Sequence, residues 1–392
     1  MKEAVIVSAV RTAVGKAPKG MFRTTQPEHL GATAIRAALD RAPGLDPAEI
    51  DDVILGCAFP EAEQGLNIGR NYALSAGLPM SVPGVTLNRF CSSGLQAIAF
   101  GAQAIMSGMA DVILAGGVES MSRVPGGGNK QMSSYEMQKV NADVYMWMGL
   151  TAEAVAERFN VTREEQDIFS AESQRRALAA IENGTFHEEI VPVEVKHWLP
   201  GLDGTVVEKT SMVSVDEGPR AGSTFEVLSK LKPVFKKNGT VTAGNSSQTS
   251  DGAAATIVMS AEKASSLGLL SLARFVSFAT AGVDPAVMGI GPAFAIPKAL
   301  KLAGLSVGDI DLFEINEAFA SQAWYCVREL GIDPAIVNVN GGAVALGHPL
   351  GATGAKLTTT LLHEMNRRQN RYGVVSMCVA GGIGAAAVFE RL

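Results

Sequence analysis

Residues 88–97 read Asn88-Arg89-Phe90-Cys91-Ser92-Ser93-Gly94-Leu95-Gln96-Ala97 and join the end of a strand to the start of a helix. Val85 to Leu87 is typical of a strand end, and apolar residues from Leu95 to Met106 recur at helical spacing. No charged residue lies between Cys91 and Ala110, which predicts a helix that is buried on all sides. Strand-to-helix junctions of this kind are where α/β proteins place their sites.

Cys91 is a candidate reactive residue because it stands at the start of this helix. The first turn of a helix leaves backbone N–H groups unpaired and carries the positive end of the helix dipole. Both features favour the thiolate, which is the nucleophilic form of cysteine. Many cysteines are simply buried and inert, so this segment alone leaves both interpretations open.

The same pattern recurs in the second half of the chain, at an offset of about 260 residues. Gly44-Leu45 matches Gly304-Leu305, and Cys91 falls on Gly351. Each copy reads β-α-β-α-β with short, nearly all-apolar strands. We therefore predict an α/β fold built from two similar βαβαβ halves. A pseudo-twofold axis between them would bring together the helix N-termini at Cys91 and near His348.

Between the copies lies a segment of different composition. It holds most of the charge runs and Met-rich patches, and its pattern predicts a helical stretch from Thr151 to Ile181 with a capped start at Thr162. We predict three parts: an N-terminal half, 1–118 plus 250–268; an inserted loop domain, 119–249, that supplies a wall for the substrate; and a C-terminal half, 269–392.

Composition excludes several classes of function. The 392 residues are 47% hydrophobic and 18% charged, with a formal net charge of −6 and no long basic run, so nucleic acid is not an expected partner. The uncharged stretch 91–110 carries Ser, Gln and Gly throughout, which favours a core helix over membrane insertion. Lys2-Glu3 runs directly into the apolar residues 4–7, so no signal peptide is expected.

The four cysteines are widely separated and form no CxxC pair. This spacing predicts neither a zinc site nor a disulfide framework. Reduced thiols are typical of the cytosol, so we expect a cytoplasmic protein. Cys57 and Cys326 are expected to be core residues.

Four glycine-rich or polar islands interrupt otherwise apolar runs, each at a strand end or helix start. They are the Cys91 segment, Asn316-Glu317-Ala318-Phe319-Ala320, the run from Gly341 to Gly351 that contains His348, and Ser376-Met377-Cys378-Val379-Ala380-Gly381-Gly382. With these motifs in this order and spacing, the chain resembles the thiolase family over its whole length. These enzymes make or break the carbon–carbon bond of 3-ketoacyl-CoA.

The resemblance implies a role for each motif. Cys91 would be the nucleophile, His348 the base that activates it, and Cys378 the acid that protonates the acetyl-CoA enolate. Asn316 would hold a water that forms one oxyanion hole with His348. Backbone N–H groups of Cys91 and Ala380 would form a second hole. The family fold also implies a layered α-β-α-β-α arrangement.

Other interpretations exist for single residues. His348 could be a loop histidine bonded to a carbonyl, Asn316 could cap a helix that begins at Glu317, and Cys378 could be a core cysteine. Ala380 stands where the family usually has glycine, so a positive φ there would be strained.

The resemblance also implies substrate contacts. Met148, Phe235, Met288 and Phe319 would line the acyl and pantetheine tunnel, while Ser247 and Arg220 would contact CoA. Biosynthetic members usually have a histidine before the Met-Gly of the substrate wall, where this chain has Trp147. This difference favours a degradative acetyl-CoA C-acyltransferase of fatty acid β-oxidation over a biosynthetic acetyl-CoA C-acetyltransferase.

Two further alternatives are a decarboxylating 3-ketoacyl synthase and a non-catalytic acyl-CoA-binding member. A synthase usually lacks the second cysteine, and a binding module would be expected to lose at least one of the four site residues. The resemblance implies CoA and acyl-CoA thioesters as substrates and neither a metal nor a redox cofactor. It also implies a homodimer formed by edge strands of the first half, or a homotetramer.

Overall fold

The computed structural model describes residues 2–130, 132–200 and 205–392. Residues 131 and 201–204 of the predicted inserted segment lie outside the described residues. The strands are β1 Ala4–Thr12, β2 Gly15–Lys16, β3 Asp52–Gly56, β4 Gly84–Leu87, β5 Val112–Ser120, β6 Ile190–Val191, β7 Val193–Pro200, β8 Val206–Val213, β9 Ser250–Ser260, β10 Ala273–Gly282, β11 Leu312–Ile315, β12 Tyr372–Val379 and β13 Ile383–Glu390. The α-helices are α1 Pro27–Asp40, α2 Ile68–Ser75, α3 Ser93–Met106, α4 Tyr135–Asn141, α5 Met148–Arg158, α6 Arg163–Glu182, α7 Phe225–Leu228, α8 Ala261–Ser266, α9 Gly291–Ala303, α10 Ala320–Glu329, α11 Ala343–Leu346 and α12 Leu350–Arg368.

The strand order shows the duplication. The main sheet runs β11-β12-β13-β10-β1-β9-β5-β3-β4, so the order β3-β5-β9-β1 of the first half is repeated as β11-β12-β13-β10 in the second. The halves meet where β1 pairs with β10 through Val5 with Arg274 and Ile6 with Ala273. Because the two orders run outward from this junction, they are related as a twofold axis requires.

Three apolar clusters alternate with the two halves of the sheet. One cluster lies under α1 and α2, a second contains α3 and α12, and a third lies under α9 and α10. Helices therefore cover both outer faces and fill the middle, which is the expected α-β-α-β-α layering. Burial of these apolar side chains is the main force that holds the layers together.

The central helices touch at a pair of glycines that the duplication relates to each other. A Cβ on Gly94 would lie 2.7 Å from the backbone nitrogen of Ala355, and a Cβ on Gly354 would lie 2.2 Å from that of Leu95. Any side chain at these positions would push the helices apart. The first turns of α3 and α12 therefore cross in close contact, which places Cys91 and His348 on neighbouring helix starts.

The prediction that residues 91–110 are buried on all sides is wrong in part. Helix α3 is buried against the sheet and α12, but Phe100 is 45% exposed and Gln103 is also exposed. Two neighbouring layers bury only part of a helix circumference, so an uncharged sequence does not by itself imply full burial.

The predicted helical stretch from Thr151 to Ile181 consists of two helices, α5 and α6, and the second begins after the predicted start at Thr162. The chain leaves α5 at Phe159 and passes through Asn160, whose φ of 52° is left-handed and ends the helix. The capped start is confirmed, since the Thr162 side chain accepts a hydrogen bond from the backbone of Glu165 and the Glu165 carboxylate accepts one from Thr162.

One described helical stretch, Pro285–Ala303, is long and apolar enough to cross a membrane, and 61% of its apolar window is buried inside the protein. It packs on β10 and β13 through Ile296 and Leu300, as a core helix does.

Candidate active site

The nucleophile candidate follows a strained residue. Cys91 lies in a 3₁₀ turn, Phe90–Ser92, directly before α3, and Phe90 has a φ of 42°. A positive φ is unfavourable for a bulky residue and needs support from its surroundings. The support is local: Asn88 Oδ1 accepts from the Phe90 backbone N–H at 2.7 Å, and Ser93 Oγ donates to the Phe90 carbonyl at 2.7 Å.

The expectation that the helix start favours a Cys91 thiolate is wrong, because burial opposes it. Cys91 is 6% exposed, and burial raises the pKa of its thiol to about 12. Backbone N–H groups of Ala380 and of Cys91 itself point at the sulfur and oppose the shift, but burial outweighs them. Cys91 therefore rests as a neutral thiol, and its activation needs a base.

His348 has the tautomer that a base requires. Its Nδ1 lies 2.6 Å from Thr353 Oγ1, and Thr353 donates its own proton to the Pro349 carbonyl at 2.9 Å. Thr353 must therefore accept from Nδ1–H. On the other side, Asn316 Nδ2 donates to His348 Nε2 at 3.2 Å. This pattern leaves Nε2 unprotonated, so it carries the lone pair that can take a proton.

Burial keeps this imidazole neutral. Removal from water lowers the pKa of His348 to about 3, and the nearby Lys356 charge acts in the same direction. Both ring nitrogens bond to side chains, so the alternative of a loop histidine bonded to a carbonyl does not describe His348. Its backbone N–H donates to Ser250 Oγ at 3.0 Å, which anchors the segment before α12 to β9.

Asn316 does not cap a helix, because α10 begins at Ala320 after Phe319. Its backbone N–H donates to the Ser376 carbonyl, and its carbonyl accepts from Gln322 Nε2. The side-chain Oδ1 is buried and has no hydrogen-bond partner among the described residues. It is therefore available to accept a hydrogen bond from water or substrate.

Cys378, near the end of β12, completes the group. It is fully buried, and burial raises the pKa of its thiol well above the usual value, with charge on Cys91 and Cys326 acting in the same direction. β12 contacts the Phe90–Ser92 turn, and the backbone N–H of Ala380 points at the Cys91 sulfur, so the Cys378 segment lies against the Cys91 turn. Ala380 follows with no positive φ, whereas Gly381 and Gly382 have φ of 83° and 87°. The predicted strain at Ala380 is therefore absent.

The predicted tunnel residues meet beside Cys378. Met148, Met288 and Phe319 belong to one apolar cluster with it. Phe235 stands edge-on to Phe319, with ring centroids 6.0 Å apart, and is 41% exposed. These side chains therefore surround Cys378 with apolar atoms, and their contact with an acyl chain stays a prediction.

The predicted CoA contacts are more scattered. The backbone N–H of Ser247 donates to the Ala318 carbonyl, which places Ser247 next to the apolar cluster. Arg220 is exposed. Burial lowers the pKa of Lys16, and the positive charge of Arg220 lowers it further. The contact of Arg220 with CoA stays a prediction.

The remaining cysteines have structural surroundings. Cys57 is fully buried and its sulfur lies 3.7 Å from Glu119 Oε1, while Cys326 donates to the Gly289 carbonyl at 3.5 Å. Burial raises the pKa of Cys326 to about 12. Within residues 2–130, 132–200 and 205–392, no group of three or more His, Cys, Asp or Glu side chains is placed to hold a metal ion.

Sequence reasoning missed two residues that support the site, Thr353 and Glu119. A hydroxyl in the first turn after the Gly-His-Pro segment was a signal that could have identified Thr353. No local pattern distinguishes Glu119, whose partners include Gly351 at a distance of 232 residues along the chain.

Comparisons with known proteins identify the family of this chain. The N-terminal thiolase domain family matches residues 4–262, and the C-terminal thiolase domain family matches residues 269–391. The chain is 57% identical over 390 residues to a 3-ketoacyl-CoA thiolase of Bacillus subtilis, with 100% of both chains covered. It is 49% identical to the peroxisomal 3-ketoacyl-CoA thiolase B of Mus musculus, covering 99% of this chain and 91% of that one.

Relatives with a second name are also similar. An acetyl-CoA acetyltransferase of Pseudomonas aeruginosa is 49% identical, with 100% of both chains covered. The crystal structure of the Bacillus anthracis acetyl-CoA acetyltransferase superposes with a TM-score of 0.91 at 43% identity, covering 100% of this chain and 99% of that one. The chain therefore belongs to the thiolase family of acyltransferase enzymes.

Proposed function

We propose that this enzyme is an acetyl-CoA C-acyltransferase that cleaves 3-ketoacyl-CoA with CoA, giving acetyl-CoA and a shortened acyl-CoA. The observation that carries the proposal is the tautomer of His348: an unprotonated Nε2 beside the Asn316 amide, before a helix whose first turn is in close contact with the start of α3, where Cys91 lies. This arrangement can move one proton off a thiol and stabilise one oxyanion, which are the two requirements of thiolysis.

In the first step, His348 Nε2 takes the Cys91 proton as the sulfur attacks the 3-keto carbon. We assign stabilisation of the tetrahedral oxyanion to the backbone N–H groups of Cys91 and Ala380, and their direction toward the Cys91 sulfur supports this role. The bond between C2 and C3 then breaks, and its electron pair enters the acetyl-CoA enolate. Cys378 donates its proton to C2 of that enolate. Protonated His348 and a water held by the Asn316 side chain stabilise the negative charge on the enolate oxygen.

The second step restores the enzyme. The CoA thiol passes its proton to the Cys378 thiolate and attacks the acyl–Cys91 carbonyl. The bond to Cys91 breaks, and His348 returns its proton to the departing sulfur. Atoms and charges balance without electron transfer, so we propose no cofactor, with CoA as a substrate. Burial of Cys91 keeps water away from the acyl intermediate.

We assign the enzyme to the degradative branch, in fatty acid β-oxidation. Support comes from Trp147 at the substrate wall and from relatives named 3-ketoacyl-CoA thiolase. The alternative is biosynthetic acetoacetyl-CoA formation, which the name of the Pseudomonas aeruginosa relative favours.

The test is CoA-dependent thiolysis of a series of substrates from acetoacetyl-CoA to long-chain 3-ketoacyl-CoA. We expect kcat/KM to be comparable or to rise with chain length, and to be lost in Cys91→Ala. Cys326→Ala is the matched control, since it removes another buried thiol and should remain active. Activity confined to acetoacetyl-CoA would support the biosynthetic branch. Absence of cleavage at all lengths would support an acyl-CoA-binding protein.

We also propose a homodimer or homotetramer in the cytoplasm. β4 ends the sheet as an edge strand with Val85 exposed, and Leu66 and Met80 nearby in sequence are exposed apolar residues.

The proposed cytoplasmic location is supported by the cysteines, which are free thiols, as is usual in the cytosol. Light scattering should give a multiple of 40.9 kDa, and Val85→Lys should dissociate the assembly. Cell fractionation tests the location.

A further inference from the structure

Glu119 is a fully buried carboxylate near the end of β5 whose charge has no catalytic use in the mechanism above. Its Oε2 accepts from the backbone N–H groups of Ala58 and Gly351, both at 2.8 Å. Its Oε1 accepts from Gln64 Nε2 at 2.9 Å and from the Phe59 N–H at 3.4 Å. A buried charge is costly unless it is compensated, and here hydrogen-bond donors surround it.

The donors come from both halves of the duplication. Ala58 and Phe59 follow β3 of the N-terminal half, whereas Gly351 is the second residue of α12 in the C-terminal half. One carboxylate oxygen, Oε2, therefore bonds to both halves at once. It also lies at the N-terminus of α12, where a negative charge is favourable.

From this carboxylate, one chain of contacts leads to the nucleophile. The Ala58 carbonyl accepts from Asn88 Nδ2 at 2.9 Å. The same side chain accepts from the N–H of the strained residue Phe90, which directly precedes Cys91. The position of the Cys91 turn is thus tied to Glu119 through Asn88.

A second chain leads to the base. Gly351 fixes the first turn of α12, and Thr353 in the same turn holds His348 Nδ1. Both chains of contacts begin at one atom, Glu119 Oε2. Displacement of that atom would therefore move the Cys91 turn and the His348 ring relative to each other.

The contacts also select a carboxylate. Every partner of Glu119 is a donor, including the Cys57 thiol at 3.7 Å from Oε1. A glutamine would accept at one position only and would turn an NH₂ group toward either Gln64 Nε2 or the Gly351 N–H. An isosteric amide should therefore disturb the link without creating a cavity.

We propose that Glu119 is a positioning residue that sets the placement of Cys91 relative to His348. This inference rests on the function proposed above, because it concerns the proton transfer between those two groups. Glu119 contacts neither reacting atom, so it acts only through the two chains of contacts.

The first test is Glu119→Gln in the full-length enzyme. We expect kcat for thiolysis to fall by about 10- to 100-fold, the size of effect that small misplacement of catalytic groups produces. KM should stay within about twofold of the wild-type value, because the variant does not alter the apolar cluster around Met148, Met288 and Phe319. The matched control is Glu364→Gln, a buried carboxylate farther along α12 that accepts from Asn340. It should retain kcat.

A second readout separates positioning from support of the fold. Alkylation of Cys91 by iodoacetamide, followed by mass spectrometry of its peptide, needs no turnover. Glu119→Gln should slow this reaction in the otherwise wild-type enzyme but should not slow it in a His348→Ala background, where the base is absent. Faster alkylation in both backgrounds, or equal slowing in both, would overturn the proposal. So would a kcat equal to that of Glu364→Gln.

If Glu119→Gln does not fold, Asn88→Ala tests the branch to the nucleophile alone. It should lower kcat with KM unchanged, and unchanged kcat would reject the link. Failure of the proposed function is distinguishable, since the wild-type enzyme would then show no thiolysis. Wild-type thiolysis with an equally active Glu119→Gln would reject only the positioning role.

Discussion

Replacement of Thr353 by valine should lower thiolysis while the fold is retained. Thr353 accepts the His348 Nδ1–H at 2.6 Å and thereby fixes the tautomer whose Nε2 is unprotonated. Valine has nearly the same shape but no acceptor, so Nδ1–H would be buried without a partner. Leaving such a donor unsatisfied costs about 1–3 kcal/mol. The alternative tautomer relieves this cost only by placing the proton on Nε2, which removes the base.

Because each 1.36 kcal/mol corresponds to tenfold in rate, we expect kcat to fall by about 5- to 150-fold. The assay is steady-state thiolysis with a saturating 3-ketoacyl-CoA. Thr353→Ser is the matched control, since it keeps the hydroxyl and should retain most of the activity. The Pro349 carbonyl also loses its donor in the valine variant, so thermal unfolding of both variants must accompany the kinetics. Equal kcat for the valine and serine variants, both folded, would refute the proposed role of the His348 tautomer.

Three further predictions follow from other parts of the structure. Burial depresses the pKa of His348 to about 3 in the folded state, so the unfolded state binds the proton first and the free energy of unfolding should fall as pH drops from about 6.5 toward 3. Urea unfolding across this range should show that the free energy of unfolding depends less on pH in His348→Asn than in the wild type. An identical pH dependence in the two proteins would contradict the assignment. Phe235→Ala removes an edge-to-face contact with Phe319 worth about 0.5–1.5 kcal/mol. The value of kcat/KM for long acyl chains should therefore fall several-fold, while the rate of Cys91 alkylation should not change. An unchanged kcat/KM would argue against the proposed acyl tunnel. Arg11→Met leaves the buried carboxylates of Glu189 and Asp216 without their partner. It should destabilise the protein by about 3–5 kcal/mol in denaturant unfolding. The control Lys236→Met removes the exposed ion pair with Glu157 and should cost less than about 1 kcal/mol.

The sequence supported prediction of the fold because the relevant signals are local and repeated. The apolar strands around Val53 and Leu312 and the Gly-Leu turns at Gly44 and Gly304 recur at one offset, and the strand order follows that duplication. The capped start at Thr162 was predicted, but the position of the preceding helix end at Asn160 was not, because the residues on both sides of Asn160 have helical preferences. The cause of that helix end is a single left-handed φ, which an asparagine permits but does not require.

The protonation states in the site could not be predicted from the helix start alone. The dipole and the free N–H groups at Cys91 favour a thiolate, but that reasoning assumes access to water. Burial comes from the crossing of α12 over α3, which involves residues more than 250 positions away. The same crossing buries His348 and lowers its pKa. A local sequence pattern therefore identified the residues but gave the wrong charge state for the thiol.

These two shifts together determine what the fold must supply. With the Cys91 pKa raised to about 12 and the His348 pKa lowered to about 3, a resting thiolate–imidazolium pair is strongly disfavoured. The proton must therefore move as the sulfur attacks, when charge passes to a substrate oxygen held by backbone N–H groups. Such a concerted transfer depends on the distance between the two groups more than an ion pair already formed would. This dependence explains why the contacts that fix the geometry, at Thr353, Asn88 and Glu119, are buried or half-buried hydrogen bonds, of which the bond between Glu119 and Gly351 links the two halves.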